Sequence, residues 1–193
     1  MESRRTPLHA EHEALGAMFT DFAGWRMPLR YDSELAEHHA VRTSAGLFDL
    51  THMGEIVLTG PEAGAALDHA LVGHASAIGV GRARYTMICE ADGGVIDDLI
   101  VYRTGDEEYL VVANASNVDV VLAELRERCA GSDVEVRDES AATALVAVQV
   151  RAPGQRVQRQ FRPVRQPLLQ PLLQDQPLPP NLHRGDRPVL GDR

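Results

Sequence analysis

The 193-residue chain contains no lysine: all 19 of its basic residues are arginine, set against 28 acidic residues, for a formal net charge of −9. An acidic body repels a polyphosphate, so nucleic acid is excluded as a partner. Cysteine is also scarce. Cys89 and Cys129 are too few for a disulfide scaffold and lack metal-ligand spacing, which points to a reducing compartment. No stretch approaches the roughly 18 apolar residues of a membrane span. The basic pair Arg4-Arg5 is not followed by the apolar segment of an export signal. These absences predict a soluble, cytoplasmic protein with no membrane contact. Motifs are missing too. There is no His-Glu-x-x-His pattern, no Gly-x-Ser-x-Gly elbow, and Gly79-Val80-Gly81 lacks the helix that completes a phosphate cradle. No metal is expected.

What is present divides into two unlike parts. Residues 150–193 hold 8 of the 11 prolines, 7 glutamines and 8 arginines, with no glutamate. Proline at this density removes backbone donors and blocks both helix and ladder, so a disordered Pro/Gln/Arg-rich tail is expected. This is also the composition that out-of-frame translation of a GC-rich gene produces, a hypothesis that resequencing the gene tests. Residues 1–149 carry 11 arginines against 25 acids and are well patterned.

In that patterned part, Thr6-Pro7 reads as a helix start, with Leu8, Leu15, Met18, Phe19 and Phe22 on one face. Gly24-Trp25-Arg26-Met27-Pro28 ends that helix. A second helix starts at Asp32-Ser33 and runs toward Gly46. Then come a strand at Glu55–Thr59, a helix opened by Gly60-Pro61, strands at Arg84–Cys89, Val95–Arg103 and Tyr109–Ala113, and a helix from Asn117 to Arg128. Strands at Val134–Val136 and Ala144–Val148 close the region. From residue 55 the order is that of a split βαβ, ferredoxin-like unit with an extra hairpin strand. The fold class is α+β, with helices over antiparallel sheet.

The chemically suggestive stretch is Gly93-Gly94-Val95-Ile96-Asp97-Asp98-Leu99-Ile100-Val101. Two carboxylates lie within a run that otherwise reads as buried strand, where charge is rare unless paired or used. Neighbouring strand residues face opposite sides, so one of Asp97 and Asp98 looks into a pocket and the other toward solvent or a backbone partner. The bland alternative is a solvated Asp98 beside an ion-paired Asp97. Tyr85 and Asp97 lie on consecutive strands and are expected to be cross-strand neighbours. Asn114 ends the next strand, and Met53 precedes the strand at 55. A pocket of Met53, Tyr85, Asp97 and Asn114 suits a flat, amphipathic heterocycle. The histidines give weaker signals: His9 and His12 read as a solvated helix face, and His52 as a hydrogen-bonded residue at a domain junction.

Several motifs in order resemble one family: Thr6-Pro7-Leu8, Phe22-Ala23-Gly24-Trp25-Arg26-Met27-Pro28-Leu29, Glu37-His38-His39-Ala40-Val41-Arg42, Gly46-Leu47-Phe48-Asp49-Leu50-Thr51-His52-Met53, and the Asp97-Asp98 strand. Together they resemble the aminomethyltransferases, the T-proteins of the glycine cleavage system, over about residues 6 to 149. The resemblance implies transfer of the methylene group from the aminomethyl-dihydrolipoyl H-protein to tetrahydrofolate with release of ammonia. It implies tetrahydrofolate as co-substrate, the lipoylated H-protein as partner, and a monomer. It makes Asp97 the catalytic carboxylate and places Met53, Tyr85 and Asn114 in the folate pocket. It further implies that residues 1–54 begin a first domain completed by later sequence, that 55–149 form the folate-binding domain, and that 150–193 are foreign to the family. The alternative is a truncated, inactive fragment or a non-catalytic folate-binding module.

Overall fold

The computed structural model describes residues 3–150 and 158–165. No helix among them is long and apolar enough to cross a membrane. The described chain divides into two compact units: one holds the residues up to His52 and those from Ala142 onward, the other is Met53–Ala141.

The first unit opens with a short helix, α1 (His9–Ala14), followed by the hairpin β1 (Met18–Phe22) and β2 (Trp25–Arg30). This corrects the expectation of one helix reaching Phe22. Gly16 adopts φ +77°, ending the helix in the left-handed conformation glycine favours. Phe22 pairs with Trp25, and the two intervening residues, Ala23 and Gly24, have φ of +51° and +78°, the signature of a two-residue hairpin turn. Thr6 does not cap α1 either, because its hydroxyl donates to Asp49 Oδ2 at 2.6 Å. Helix α2 (Glu34–Thr43) starts as expected, with Ser33 Oγ accepting from Ala36 N. The unit's second sheet has the order β10-β9-β3, from β3 (Ala45–Asp49), β9 (Thr143–Val150) and β10 (Gln158–Arg165).

Two further expectations change here. The strand at Ala144–Val148, expected to close the second segment, instead lies in β9 and pairs with β3. Of the stretch expected to be disordered, 158–165 form β10, an edge strand paired antiparallel along β9. An edge position tolerates Pro163, since its missing donor faces away from the ladder. The rest of that stretch lies outside the described residues.

His9 and His12 are buried rather than solvated. His12 Nε2 lies 2.9 Å from Asp49 Oδ2, and the Tyr31 hydroxyl lies 2.7 Å from His12 Nδ1. Asp49 Oδ1 also accepts from Thr51 N at 3.0 Å. Burial alone would raise the Asp49 pKa, but hydrogen bonds from His12, Thr51 and Thr6 outweigh it and hold the carboxyl below its ordinary value. His52 packs edge-on against Phe22, and burial lowers its pKa against the opposing charge of Asp49.

The second unit is a five-stranded antiparallel sheet in the order β5-β6-β7-β4-β8. Its strands are β4 (Gly54–Thr59), β5 (Ala83–Cys89), β6 (Val95–Arg103), β7 (Glu108–Ala113) and β8 (Glu135–Asp138). Two helices, α3 (Ala63–Ala70) and α4 (Val118–Arg128), contribute Ala63, Ala66, Leu67, Ala70, Val121 and Leu125 to one apolar core. From the strands come Ile56, Leu58, Ile88, Leu99, Val101 and Val111. These strand residues alternate along their strands, which is the sequence pattern that specified them.

Candidate functional site

Strand β6 carries the site. Its burial alternates, so Asp97 shares the core-facing side with Leu99 and Val101, while Asp98 shares the opposite side with Ile100 and Tyr102. Just ahead of Asp97 the β5–β6 register slips: Ile88 pairs with Asp97 but Cys89 pairs with Val95. Ile96 is therefore the extra residue of a β-bulge, a device that re-aims the side chains that follow it.

Asp97 is only 3% exposed, and its partners are amides. Oδ2 accepts from Asn114 N at 3.0 Å. Oδ1 accepts from Asn114 Nδ2 and Asn117 Nδ2, each at 2.8 Å. Three N–H donors satisfy this buried carboxylate in place of the ion pair that the bland reading expected.

Asp98 is exposed. Its Oδ2 accepts from the Tyr85 hydroxyl at 2.9 Å and its Oδ1 from Asn114 Nδ2 at 3.1 Å. Each oxygen thus retains acceptor capacity on the open side. Tyr85 is 63% exposed. The hydrogen bond to Asp98 raises its pKa above the ordinary phenol value, aided by some desolvation and by the charges of Asp98 and Asp97.

The expected Tyr85–Asp97 neighbours are therefore not formed. Tyr85 stands opposite Ile100 in the ladder. It shares a face with the residues two positions away on β6, which include Asp98 and exclude Asp97.

Asn114 follows β7 directly and turns the chain toward α4, its carbonyl accepting from Asn117 N at 2.9 Å. Its Nδ2 also reaches the Asp98 carbonyl at 3.0 Å, so this one side chain joins the two aspartates. Met53 is half-buried and sits one residue before Gly54, which pairs with Ala113. That register brings Met53 and Asn114 to the same end of the sheet. Gly54 is required there, because a Cβ would lie 2.6 Å from Val118 Cγ2 in the first turn of α4.

The structure thus gathers Tyr85, Asp98 and Asn114 by direct bonds, and Asp97 with Asn114 behind them. Sequence reasoning missed Asn117, whose only signal was an asparagine at a helix start. Among the described residues no group of three or more His, Cys, Asp or Glu side chains could hold a metal. An exposed aromatic ring beside a carboxylate with open acceptor positions can stack on a planar heterocycle and accept its N–H groups.

Residues 8–151 match the GCVT N-terminal domain family. The chain is 68% identical over 146 residues to an aminomethyltransferase of Saccharopolyspora erythraea, covering 76% of this chain and 40% of that protein. It is 66% identical over 148 residues to one of Streptomyces coelicolor, covering 77% and 40%. Among solved structures it is similar to the glycine cleavage system aminomethyltransferase T of Bartonella henselae, at 39% identity and a TM-score of 0.71, over 75% of this chain and 40% of that one. The chain spans about 40% of the length of these relatives.

Proposed function

Because the chain belongs to the GCVT N-terminal domain family, we propose that it serves aminomethyl transfer, with tetrahydrofolate as acceptor and the lipoylated H-protein of the glycine cleavage system as donor. In this reading two folate nitrogens, N5 and N10, bond to the methylene carbon as its bonds to the amino nitrogen and the lipoyl sulfur break. The two N–H protons leave with ammonia and the dihydrolipoyl thiol, and 5,10-methylenetetrahydrofolate forms. The named function of the relatives supports the class of reaction.

The observation that carries the reading is the open Tyr85–Asp98 pair. Asp98 accepts an N–H of the bound heterocycle and stabilises positive charge as the nitrogen is alkylated. Tyr85 offers a ring face for stacking and holds Asp98 through its hydroxyl. Asn114 donates to Asp98, and Met53 supplies apolar lining at the same end of the sheet. Accessibility favours Asp98 as the reacting carboxylate. Asp97, the residue singled out by the resemblance, has its oxygens committed to three amides and serves as a positioning residue. The H-protein and a cytoplasmic location are part of the same proposal.

A second reading, a folate-binding module without turnover, draws on the same exposed ring and carboxylate, which can bind a heterocycle without a transfer step. Calorimetric titration of the 193-residue chain with tetrahydrofolate tests both. Saturable binding followed by ammonia release from loaded H-protein supports the transferase, and binding without ammonia release supports the module. No binding by a folded chain contradicts both.

A further inference from the structure

Asn117 occupies the position that precedes α4, where an asparagine ordinarily turns its carbonyl oxygen to the free amides of the first helical turn. Here it makes no such cap bond. Its carboxamide instead points back into the sheet, with Nδ2 at 2.8 Å from Asp97 Oδ1. The opposite amide orientation is excluded by chemistry, since it would set two oxygens against each other. The same logic fixes Asn114. Its Nδ2 faces Asp97 Oδ1 at 2.8 Å, the Asp98 carbonyl at 3.0 Å and Asp98 Oδ1 at 3.1 Å, so its amide nitrogen must lie on the aspartate side.

Asn117 and Asn114 therefore share one acceptor atom, Asp97 Oδ1, and only Asn114 continues to the exposed carboxylate. We propose that Asn117 is a positioning residue: by fixing the buried Asp97 carboxylate from the α4 side, it sets the Asn114 carboxamide in the orientation that aims its donor at Asp98. The proposal rests on Asp98 being the reacting group. It explains why a helix-start asparagine forgoes its cap, and it ties the rotamer of Asp98 to the first turn of α4. Without Asn117, Asp97 Oδ1 rotates to find another donor, Asn114 follows it, and Asp98 keeps only its Tyr85 bond.

The test is solvent exchange of the Asn114 Nδ2 protons in the ¹⁵N-labelled 193-residue chain, which requires no ligand. In Asn117→Ala these protons exchange about tenfold faster, the loss expected for one charge-assisted hydrogen bond. The backbone amides of Leu99 and Val111 in the core keep their protection. Asn117→Ser, with a short hydroxyl donor, restores part of the Asn114 protection, and affinity for tetrahydrofolate follows the same order. Unchanged Asn114 exchange in a folded Asn117→Ala variant overturns the proposal. If the alanine variant loses core protection as well, the serine variant decides: restored core protection with intermediate Asn114 exchange supports positioning, and loss of both overturns it. Failure of the underlying reading shows separately, as folate binding indifferent to Asp98→Asn whatever Asn114 does.

Discussion

The Tyr85 hydroxyl donates to Asp98 Oδ2 at 2.9 Å across the β5–β6 ladder, although the residue directly opposite Tyr85 is Ile100. This diagonal bond stands on the open side of the sheet, and it separates the two adjacent aspartates into an accessible acid and a buried one.

Tyr85 titrates above the ordinary phenol value because its proton is held by Asp98 and its anion would face two carboxylates. Ultraviolet titration of phenolate formation should show, besides Tyr102, which burial pushes up to about 12, a raised tyrosine whose midpoint falls toward the ordinary value in Asp98→Asn. A midpoint unmoved by that substitution would show that the bond is not formed in solution.

Asp49 stabilises the first unit only while ionised. Its folded pKa lies below the ordinary value, so its contribution is fully present above the unfolded pKa of about 3.9 and is lost as pH falls through the lower, folded value. Replacing the carboxylate leaves the buried Thr6, Thr51 and His12 groups short of their acceptor, a loss of about 1–3 kcal/mol. Asp49→Asn should therefore lower the urea midpoint strongly at pH 7 and flatten the acid limb of the stability profile below about pH 4. Equal acid sensitivity in variant and wild type would place the source of that limb elsewhere.

His52 acts in a different window. Burial lowers its folded pKa, so the unfolded chain binds a proton that the folded chain resists. Stability then falls as pH drops below the unfolded value of about 6.5 toward the folded one. Thermal melts of His52→Gln between pH 7 and pH 5 should show a smaller decline than wild type.

Gly54 is the tightest point beside the site. Gly54→Ala drives a methyl into Val118, whose two Cγ atoms would lie 2.6 and 2.7 Å away. Overpacking of this kind costs about 1–3 kcal/mol, and relief requires the first turn of α4 to move. Denaturant unfolding should show the loss. Folate affinity should fall with it, because the same turn follows Asn117.

Much of the second unit was legible in the sequence because β6 alternates, β7 is a short apolar run, and its helices are bracketed by glycine, proline and asparagine. Val95–Arg103 matched β6 to the residue. The first unit was less legible for specific reasons. Leu15, Met18, Phe19 and Phe22 fit a helical spacing by coincidence. The left-handed Gly16 and the Ala23-Gly24 turn override that spacing, and an alanine at positive φ leaves no trace in composition. Strand β3 was hidden because its partner β9 lies some hundred residues away, and no local pattern encodes such a pairing. At the site, strand order pointed to Tyr85, Asn114 and an aspartate as neighbours, and the structure joins these through Asp98; Met53 is placed only at the same end of the sheet. Which aspartate faces outward depends on the phase of β6 across the bulge at Ile96, and one residue of phase exchanges the two roles.

The most direct measurement is a paired calorimetric titration of Asp98→Asn and Asp97→Asn with tetrahydrofolate, each accompanied by a denaturation curve. Asp98→Asn should keep near wild-type stability and lose at least about tenfold in affinity, as expected when an accessible charged acceptor is removed. Asp97→Asn should lose about 1–3 kcal/mol of stability, because buried amides are left without their carboxylate. Its affinity should fall less than that of Asp98→Asn. Full affinity in a stable Asp98→Asn chain, with binding abolished in an equally stable Asp97→Asn chain, would contradict the account and return the reacting role to the buried residue.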